Sequence, residues 1–491
     1  MPTPTLQNIY GVNLALLTDL YQMTMAYGYW KAGIIEREAG FNMFFRKNPF
    51  GGGYAVVCGL HDVIDYLNNF HFSEEDLAYL STLQGNDGKA LFEVEFLDYL
   101  RAMKFSCKVD AMPEGTIAFP QEPLLRIQGP LFQCQMVETA ILNMINFQTL
   151  IATKASRMRV AAGEEKILEF GLRRAQGIDG GLAASRAAYI GGCDATSNVL
   201  AGKIYDIPVK GTHAHSWVMS FDSELEAFEA YAQALPNNCI FLVDTYNTLE
   251  GVKHAIKVGK KIEEKGHRFQ GIRLDSGDLA YLSIEARKML DDAGFPDTDI
   301  VASNDLDENI IESLHHQGAK INVWGIGTKL VTGDSQPALG GVYKIAAIKD
   351  ENGEWQYKVK LSEQAVKVST PGIQQVRRYY NGKECIADMI YDELNPPKDE
   401  AVIVDPMDMT RRKYLHPDLN FSDLLVPIFV DGKQVYEKPP IHQTRKIAVE
   451  ALESLHKSIK RFVNAHAYPV GLEKGLFDMK TDLILKLRHF K

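Results

Sequence analysis

Three aspartates in the middle of the sequence have the side-chain type and spacing to hold Mg²⁺ or the vicinal hydroxyls of a sugar. Asp275 and Asp278 enclose a serine and a glycine, and Asp244 ends the preceding apolar run. Carboxylate oxygens are the ligands that Mg²⁺ prefers, so we expect Asp244, Asp275 and Asp278 to converge on a metal or a ribose. Aspartate at the junction of a strand and a helix also commonly caps that helix, and this interpretation stays open.

Two segments near these acids have the chemistry to bind phosphate groups. Arg273 stands two residues before Asp275, so on a strand both side chains share a face, and a guanidinium is a common fork for phosphate oxygens. The turn at Gly325 and Gly327 lacks bulky side chains at either position. Its N–H groups can approach an anion, and a helix beginning near Thr328 adds its positive end. A tight strand-to-helix turn is the plainer interpretation.

Two histidines, His213 and His215, are spaced so that both side chains point the same way in an extended segment. No cysteine or third histidine stands at ligand spacing, so we do not expect a zinc site. A histidine here can act as a general base or as a nucleophile toward phosphate. A core histidine bonded to the backbone is the alternative for either residue.

Short apolar runs must position these side chains. Such runs occupy residues 166–171, 207–211, 239–244, 271–275, 300–303 and 321–325, with helical patterns between them. Brief buried strands alternating with helices predict an α/β fold with a parallel sheet, and this many in succession favour a barrel over an open sheet. Active-site residues of such barrels sit at the carboxyl ends of the strands. The polar residues at these ends are Glu169, Arg173, Thr212, His213, His215, Asp244, Arg273, Asp275, Asp278, Ser303, Asn304 and Thr328.

The chain has 491 residues and a formal net charge of −10. A mildly acidic protein is a poor binder of phosphate backbones, so we expect no nucleic-acid partner. No apolar run is long enough for a transmembrane helix, and the start of the chain lacks the basic and apolar segments of a signal peptide. The six cysteines show neither metal nor disulfide spacing. We therefore expect a cytoplasmic protein without membrane contact.

Changes in pattern along the chain predict three domains. Residues 1–145 mix helical and strand patterns, and residues 146–345 carry the strand-helix repeats. Residues 346–491 form a C-terminal extension, in which Gly353, Gly382 and Gly432 mark the turns of predicted β-hairpins.

Taken together, these motifs resemble the nicotinate phosphoribosyltransferase family. The segments that carry the resemblance occur in one order over residues 16–346, which makes the match far more specific than any single motif. They are LLTDLYQMTMAYGYW (16–30), EFGLRRAQG (169–177), GGCDATSN (191–198), GTHAHSW (211–217), LVDTYNTLEG (242–251), IRLDSGDL (272–279), VASNDLDE (301–308), GIGTKLVT (325–332) and GGVYKI (341–346).

The resemblance implies a fold and an activity. The fold would be an irregular TIM-like α/β barrel of the type II phosphoribosyltransferases, with an N-terminal α/β sandwich domain and a C-terminal extension. The activity would form nicotinate mononucleotide and diphosphate from nicotinate and 5-phosphoribosyl 1-diphosphate, with Mg²⁺ as cofactor and ATP hydrolysis as the driving reaction. This is the first step of NAD synthesis from nicotinate. The family usually forms homodimers, in which the first domain of one chain covers the barrel of the other.

The resemblance also implies roles for single residues. His215, in the Gly-Thr-x-Ala-His segment, would be transiently phosphorylated, and Asp275 and Asp278 would act beside the ribose and, with Asp244, hold Mg²⁺. The resemblance implies Tyr21, Arg173 and Thr212 as contacts of nicotinate, and from the sequence we add Asp194, an acid on a nearby loop. The resemblance further implies Arg273 and Thr328 as contacts of the phosphoribosyl diphosphate, and the polar strand ends and the glycine turn lead us to add Ser303, Asn304, Gly325 and Gly327. This agrees with the chemistry, because a pyridine carboxylate requires an aromatic face and a cation, although Tyr21 also fits core packing.

Three alternatives remain open. Nicotinamide phosphoribosyltransferase shares much of this pattern, although the Gly-Thr-His-Ala-His and Leu-Thr-Asp-Leu-Tyr-Gln segments favour nicotinate. A metal-dependent sugar-phosphate lyase would require a Schiff-base lysine, for which Lys210 and Lys329 are present without convincing surroundings. A non-catalytic scaffold is disfavoured, because polar groups at so many strand ends are poorly explained by stability.

Overall fold

The computed structural model describes residues 9–397 and 401–489, which divide into two compact units. Unit 1 holds the residues up to Leu150 and those from Ala338 onward, and unit 2 holds Ile151–Pro337. Residues 1–8, on which part of the signal-peptide prediction rests, lie outside the described residues. Within the described ranges, we find no helix with the length and hydrophobicity needed to cross a bilayer.

Unit 1 is built from both ends of the chain. With elements numbered along the chain, its helices are α1 (Leu20–Lys31), α2 (Leu60–Asn68), α3 (Glu74–Thr82), α4 (Val94–Ala102), α5 (Leu131–Met136), the start of α6 (Glu138–Ala162), α15 (Ile441–Glu453) and α16 (Lys474–Leu487). Its strands are β1 (Glu38–Phe45), β2 (Ala55–Val56), β3 (Lys108–Ala111), β4 (Ile117–Ala118), β5 (Leu125–Pro130), β12 (Gly341–Lys349), β13 (Trp355–Tyr357), β14 (Gln374–Asn381), β15 (Glu384–Asp392), β16 (Ala401–Val404), β17 (Arg412–Leu415), β18 (Asn420–Asp423), β19 (Val426–Val430), β20 (Lys433–Gln434) and β21 (Val470–Glu473).

Sheet pairing joins the first and last parts of unit 1. A seven-stranded sheet has the order β13-β12-β1-β5-β3-β19-β20, a six-stranded sheet has the order β17-β16-β21-β15-β14-β18, and β2 pairs with β4. Strand β1 is buried at every position after Glu38 and lies between β12 and β5 in the interior of the first sheet. There the rings of Phe41 and Tyr343 stack with centroids 5.0 Å apart. The predicted hairpins are confirmed as β12–β13, β14–β15 and β19–β20.

Unit 2 alternates strands with helices. Its strands are β6 (Lys166–Glu169), β7 (Ala195–Thr196), β8 (Ile240–Leu242), β9 (Gly271–Leu274), β10 (Asp299–Ser303) and β11 (Val323–Ile326). Its helices after α6 are α7 (Gly177–Ile190), α8 (Val199–Tyr205), α9 (His215–Val218), α10 (Glu224–Ala234), α11 (Thr248–Glu264), α12 (Leu279–Asp292), α13 (Glu308–His316) and α14 (Thr328–Val331).

The six strands of unit 2 form one parallel sheet with the order β7-β6-β11-β10-β9-β8. Starting from β8, this order follows the chain to β11 and then returns to β6 and β7, as in a ring that is open between β7 and β8. Short strands such as Asp299–Ser303, buried after the first residue, are typical of a parallel sheet covered by helices. The predicted α/β fold is therefore confirmed.

One predicted strand is wrong. Residues 207–211 form no strand, and only Val209 makes an isolated parallel bridge, to Thr196 in β7. Pro208 has no N–H to donate, which limits a ladder here; the bonds formed run from Thr196 N–H to the Pro208 carbonyl and from Lys210 N–H to the Thr196 carbonyl. The two-residue strand β7, to which this segment pairs, was not predicted.

Candidate active site

The guanidinium of Arg273 joins three of the predicted strand ends. Its Nε donates to Ser303 Oγ at 2.8 Å, one terminal nitrogen donates to Thr212 Oγ1 at 3.1 Å, and the other donates to Asp275 Oδ1 at 2.9 Å. Because parallel strands end at the same edge of a sheet, residues distant in sequence meet here. We call Thr212, His215, Asp244, Arg273, Asp275 and Ser303 the strand-end cluster.

The aromatic ring of Phe170 lies against the guanidinium of Arg273. The guanidinium carbon lies 5.4 Å from the centroid of the Phe170 ring, which follows β6, and a cation over an aromatic face is attracted by the ring electrons. The ring occupies space that Gly325 leaves open, since a Cβ on Gly325 would lie 2.8 Å from two Phe170 ring carbons. The sequence placed Phe170 in a family motif but gave no signal for this role.

Asp275 is held as a carboxylate. Burial acts to raise its pKa, but the hydroxyl of Ser303 and the charge of Arg273 act in the opposite direction, and the net result is a lowered pKa. Its backbone N–H donates to Asp244 Oδ2 at 2.9 Å, and Ser276 Oγ donates to the same oxygen at 2.6 Å. Asp244 Oδ1 is buried and has no hydrogen-bond partner among the described residues. This oxygen is therefore available to a cation.

His215 is the half-exposed member of the cluster. It begins the short helix α9, and its side chain is 40% exposed. Its Nδ1 lies 3.1 Å from Thr245 Oγ1, and its Nε2 lies 3.8 Å from Asp275 Oδ2. Thr245 thus fixes the ring on one side while the other nitrogen faces the carboxylate. Sequence reasoning did not single out Thr245, although it directly follows Asp244.

His213 is a core residue. Its Nε2 accepts the N–H of Leu242 at 3.2 Å, and Nδ1 lies 3.4 Å from the Ala214 carbonyl, so Nδ1 carries the proton of the neutral ring. The ring packs against Phe228, Tyr231 and other aromatic side chains. Burial lowers the pKa of His213 to about 4. The sequence left open whether this histidine is catalytic or is a core residue bonded to the backbone, and the structure has it as a core residue.

The three predicted metal-binding aspartates do not gather into a cage. In the part of the chain that is described, no group of three or more His, Cys, Asp or Glu side chains is placed to hold a metal ion. Asp278 instead accepts the N–H of Tyr281 at 3.0 Å as the N-cap of α12, as the capping interpretation expects. Asp244 and Asp275 remain adjacent. Mg²⁺ keeps several waters and commonly takes only one or two protein carboxylates besides substrate phosphates, so the unpartnered Asp244 oxygen still fits this ion.

The predicted glycine turn has a different structure from the one expected. Gly325 lies within β11, paired with Ser303 on one side and Leu168 on the other, so its role is to make room for Phe170. The helix that follows Gly327 is only four residues long, so its dipole can contribute little to the binding of an anion. Gly327 and Thr328 are partly exposed at the end of β11. Asn304, with φ of 94°, follows β10 in a left-handed turn.

The residues predicted for nicotinate lie in three places. Arg173 and Thr212 line a cavity of about 270 Å³ that also reaches Phe170 and Arg273. Asp194 precedes β7 at its amino end, where its Oδ2 accepts bonds from Arg159 at 2.5 Å and the Ile167 N–H at 2.8 Å. The structure therefore does not bring Asp194 to the strand-end cluster. Tyr21 belongs to unit 1, where it is 49% exposed on α1.

Glu169 and Lys329 are both engaged by neighbouring side chains of unit 2. Glu169 is fully buried and accepts bonds from Ser185 at 2.9 Å and Thr196 at 2.6 Å, which ties β6 to α7 and β7. Lys329 pairs with Asp307 at 2.9 Å, and this bond raises the pKa of the lysine. A Schiff-base lysine requires a lowered pKa, so the lyase alternative loses this candidate.

Most of the chain matches models of one enzyme family. Residues 16–146 match the nicotinate phosphoribosyltransferase (NAPRTase) N-terminal domain, residues 166–360 match the nicotinate phosphoribosyltransferase family model, and residues 373–480 match the corresponding C-terminal domain.

Individual relatives agree with these models. The chain is 44% identical to nicotinate phosphoribosyltransferase of Bacillus subtilis, covering 97% of this chain and 96% of that protein. The crystal structure of human nicotinic acid phosphoribosyltransferase superposes with a TM-score of 0.83 at 32% identity, covering 95% of this chain and 99% of that one. A Pyrococcus furiosus structure described as nicotinate-nucleotide pyrophosphorylase shares the fold, with a TM-score of 0.69 at 21% identity over 92% of this chain and 99% of that one. The chain belongs to the nicotinate phosphoribosyltransferase family.

Proposed function

We propose that this chain forms nicotinate mononucleotide and diphosphate from nicotinate and 5-phosphoribosyl 1-diphosphate, with ATP hydrolysis coupled through phosphorylation of His215. The observation that carries the proposal is the position of His215 Nε2, 3.8 Å from an Asp275 that is itself bonded to Arg273. This arrangement places a nucleophilic ring beside residues suited to a phosphorylated sugar. The reaction is the first step of NAD synthesis from nicotinate.

The ribosyl transfer breaks the bond between ribose C1 and the diphosphate oxygen, and the electron pair leaves with the diphosphate. The ring nitrogen of nicotinate then forms the new bond to C1. Arg273 stabilises the charge that develops on the leaving diphosphate, and Ser303, Asn304, Gly327 and Thr328 border the same donor. Asp275, kept ionised by Ser303 and Arg273, faces the positive charge that develops on the ribose.

Nicotinate is assigned to the cavity beside the cluster. A volume of about 270 Å³ is near the lower end for small-molecule sites, which suits a single ring. The exposed Arg173 pairs with the carboxylate, and Thr212, which accepts a bond from Arg273, lines the same cavity. We leave Asp194 out of the proposed contacts because Arg159 and the Ile167 N–H already engage its carboxylate.

Two carboxylates are suited to Mg²⁺. Asp244, through its unpartnered Oδ1, and the neighbouring Asp275 would hold the ion, which when bound supplies positive charge for the departing diphosphate. Asp278 is assigned to capping α12 and to bordering the ribose site.

Phosphorylation of His215 moves the γ-phosphoryl group of ATP to a ring nitrogen. The bond to the ADP oxygen breaks, an N–P bond forms, and the imidazole releases its proton to water. Hydrolysis of the N–P bond after transfer restores the ring and gives phosphate. The 40% exposure of the side chain gives ATP access to this nitrogen.

The larger assembly is part of the proposal. The ring-like strand order of unit 2 supports an irregular barrel. We assign residues 1–145 to an N-terminal domain, residues 146–345 to the barrel domain and residues 346–491 to a C-terminal extension. We assign a homodimer in which Tyr21 of one subunit covers the nicotinate of its neighbour. The exposure of Tyr21 is consistent with that role.

Incubation with γ-labelled ATP tests the proposal. We expect an acid-labile label on His215, found by mass spectrometry, and its loss in His215→Ala but not in His267→Ala, a partly exposed histidine of the same unit. The His215→Ala variant should retain slow transfer that ATP does not stimulate. Full ATP coupling in His215→Ala would contradict the phosphohistidine. A preference for nicotinamide over nicotinate in direct competition would instead support the amide-specific alternative.

A further inference from the structure

A second cavity lies in unit 1, beside the C-terminal helix α16. Its volume is about 320 Å³, and its lining includes Gln121, Ser362, Lys480 and Arg488 together with the apolar side chains of Met407 and Ile484. These residues come from distant parts of the chain, and none belongs to unit 2. The cavity is thus a feature of unit 1 alone.

Lys480 is a buried lysine that has no acidic partner among the described residues. The residue is only 9% exposed, and its Nζ donates to Thr370 Oγ1 at 3.0 Å. Within residues 9–397 and 401–489 it forms no ion pair. A buried charge is costly unless it is paired, and burial accordingly lowers the pKa of Lys480 to about 8. Among the described residues, no anion offsets the cost of a charge on this amine.

The other charged groups on the cavity wall leave it net positive. Arg488 follows α16, the helix that carries Lys480, and Glu363 is the acidic residue of the lining. Arg488 and Glu363 are both exposed to solvent, so their charges are screened more than that of Lys480. Lys480 is therefore the least screened charged residue among those that line the cavity.

Gln121, which also lines the cavity, has an unfavourable backbone conformation. Its φ of 74° lies in the left-handed region, which costs energy in a residue other than glycine and is found often at ligand sites. Its side-chain amide reaches the Val366 carbonyl at 3.5 Å. The strained residue joins the two loops that frame the cavity.

We propose that this cavity binds a small organic anion whose carboxylate or phosphate group pairs with Lys480. The apolar body of the ligand packs against Met407 and Ile484, and Ser362 and Arg488 donate to its polar edge. The volume is in the range of small-molecule sites and suits one ring or a short chain. An anion at this position supplies the counter-charge that the described residues do not provide.

Calorimetric titration of the full-length chain with phenyl phosphate and with benzoate tests the site. We expect at least one of the two to bind, and the one bound identifies a phosphate or a carboxylate ligand. Lys480→Met should weaken that binding at least about tenfold, as expected for the loss of a charge-assisted bond. Lys486→Met, an exposed lysine of the same helix, should leave it unchanged. Binding at the strand-end cluster would persist in both variants and so would not be mistaken for this site.

A measurement on the unaltered protein avoids dependence on the folding of Lys480→Met. Acetic anhydride should modify the Lys480 amine, and a saturating concentration of the bound probe should reduce that modification severalfold while the modification of Lys486 stays constant. Absence of binding by both probes, or equal affinity in Lys480→Met, would overturn the proposal. Unchanged modification of Lys480 in the presence of bound probe would do the same.

Discussion

His215 and Asp275 face each other across 3.8 Å, from Nε2 to Oδ2, while the other oxygen of Asp275 is engaged by Arg273 and Ser303. Any change of charge on the imidazole is therefore felt by the carboxylate that holds Arg273. A phosphoryl group on His215 adds negative charge beside Asp275 and offers Arg273 a competing acceptor. We expect the binding of the phosphoribosyl donor to respond to phosphorylation through this pair.

Thr245 should position His215. Thr245→Val removes the hydroxyl that lies 3.1 Å from Nδ1 at nearly constant volume. A neutral hydrogen bond contributes about 1 kcal/mol, so we expect kcat to fall about fivefold to tenfold with little change in KM. Thr245→Ser keeps the hydroxyl and should restore kcat. An equal loss in Thr245→Ser would indicate that packing, and not the hydroxyl, orients the ring.

Arg273→Lys should damage catalysis far more than folding. Lysine is a point charge that cannot reproduce the three bonds to Ser303, Thr212 and Asp275. We expect kcat/KM for 5-phosphoribosyl 1-diphosphate to fall about 100-fold, which corresponds to about 2.7 kcal/mol. Steady-state kinetics measure this, with the exposed Arg174→Lys as the control. A loss below about threefold would mean that charge alone suffices.

The sequence was sufficient for most of the polar strand ends but not for the partners of their side chains. Runs such as 239–244 and 271–275 are short and apolar and end in an aspartate, so both the strands and the residues at their ends were predictable. The bond from Arg273 to Ser303 joins residues 30 positions apart, and only the parallel order of β9 and β10 brings them together. Local patterns carry no information about such pairing.

Local sequence does not distinguish the alternative roles of a glycine or an aspartate, for a related reason. A glycine that gives a backbone access to an anion and one that gives a ring room to pack look alike in sequence, and Gly325 is the second kind. Asp278 caps a helix, as its place at a strand-to-helix junction allowed. Asp194 is bound to Arg159 at the amino end of β7, which depends on a two-residue strand too short to give a pattern.

Gly325→Ala should disturb the site through Phe170. The added Cβ would stand 2.8 Å from two ring carbons, so the ring must shift under Arg273. Overpacking of this kind costs about 1–3 kcal/mol, and we expect a lower Tm together with a higher KM for 5-phosphoribosyl 1-diphosphate. Phe170→Leu in the same chain should recover part of the stability but not the KM. Strictly additive effects on stability would show that the two residues do not interact.

His213 should make stability depend on pH. Its pKa falls from 6.5 to about 4 on folding because the ring is buried, so between these values the unfolded chain binds more protons than the folded one. The free energy of unfolding therefore decreases as the pH falls through this window, by up to about 3 kcal/mol, and the contribution is fully present above pH 6.5.

Calorimetric unfolding between pH 4.5 and 7.5 measures this dependence against His213→Gln. Glutamine does not titrate, and its Oε1 can accept the Leu242 N–H in place of Nε2. We expect the stability of the variant to fall less steeply with acidification, by about one proton over the window. Parallel pH profiles for the two proteins would mean that the ring gains a proton without leaving its aromatic surroundings, and hence that burial does not hold it neutral.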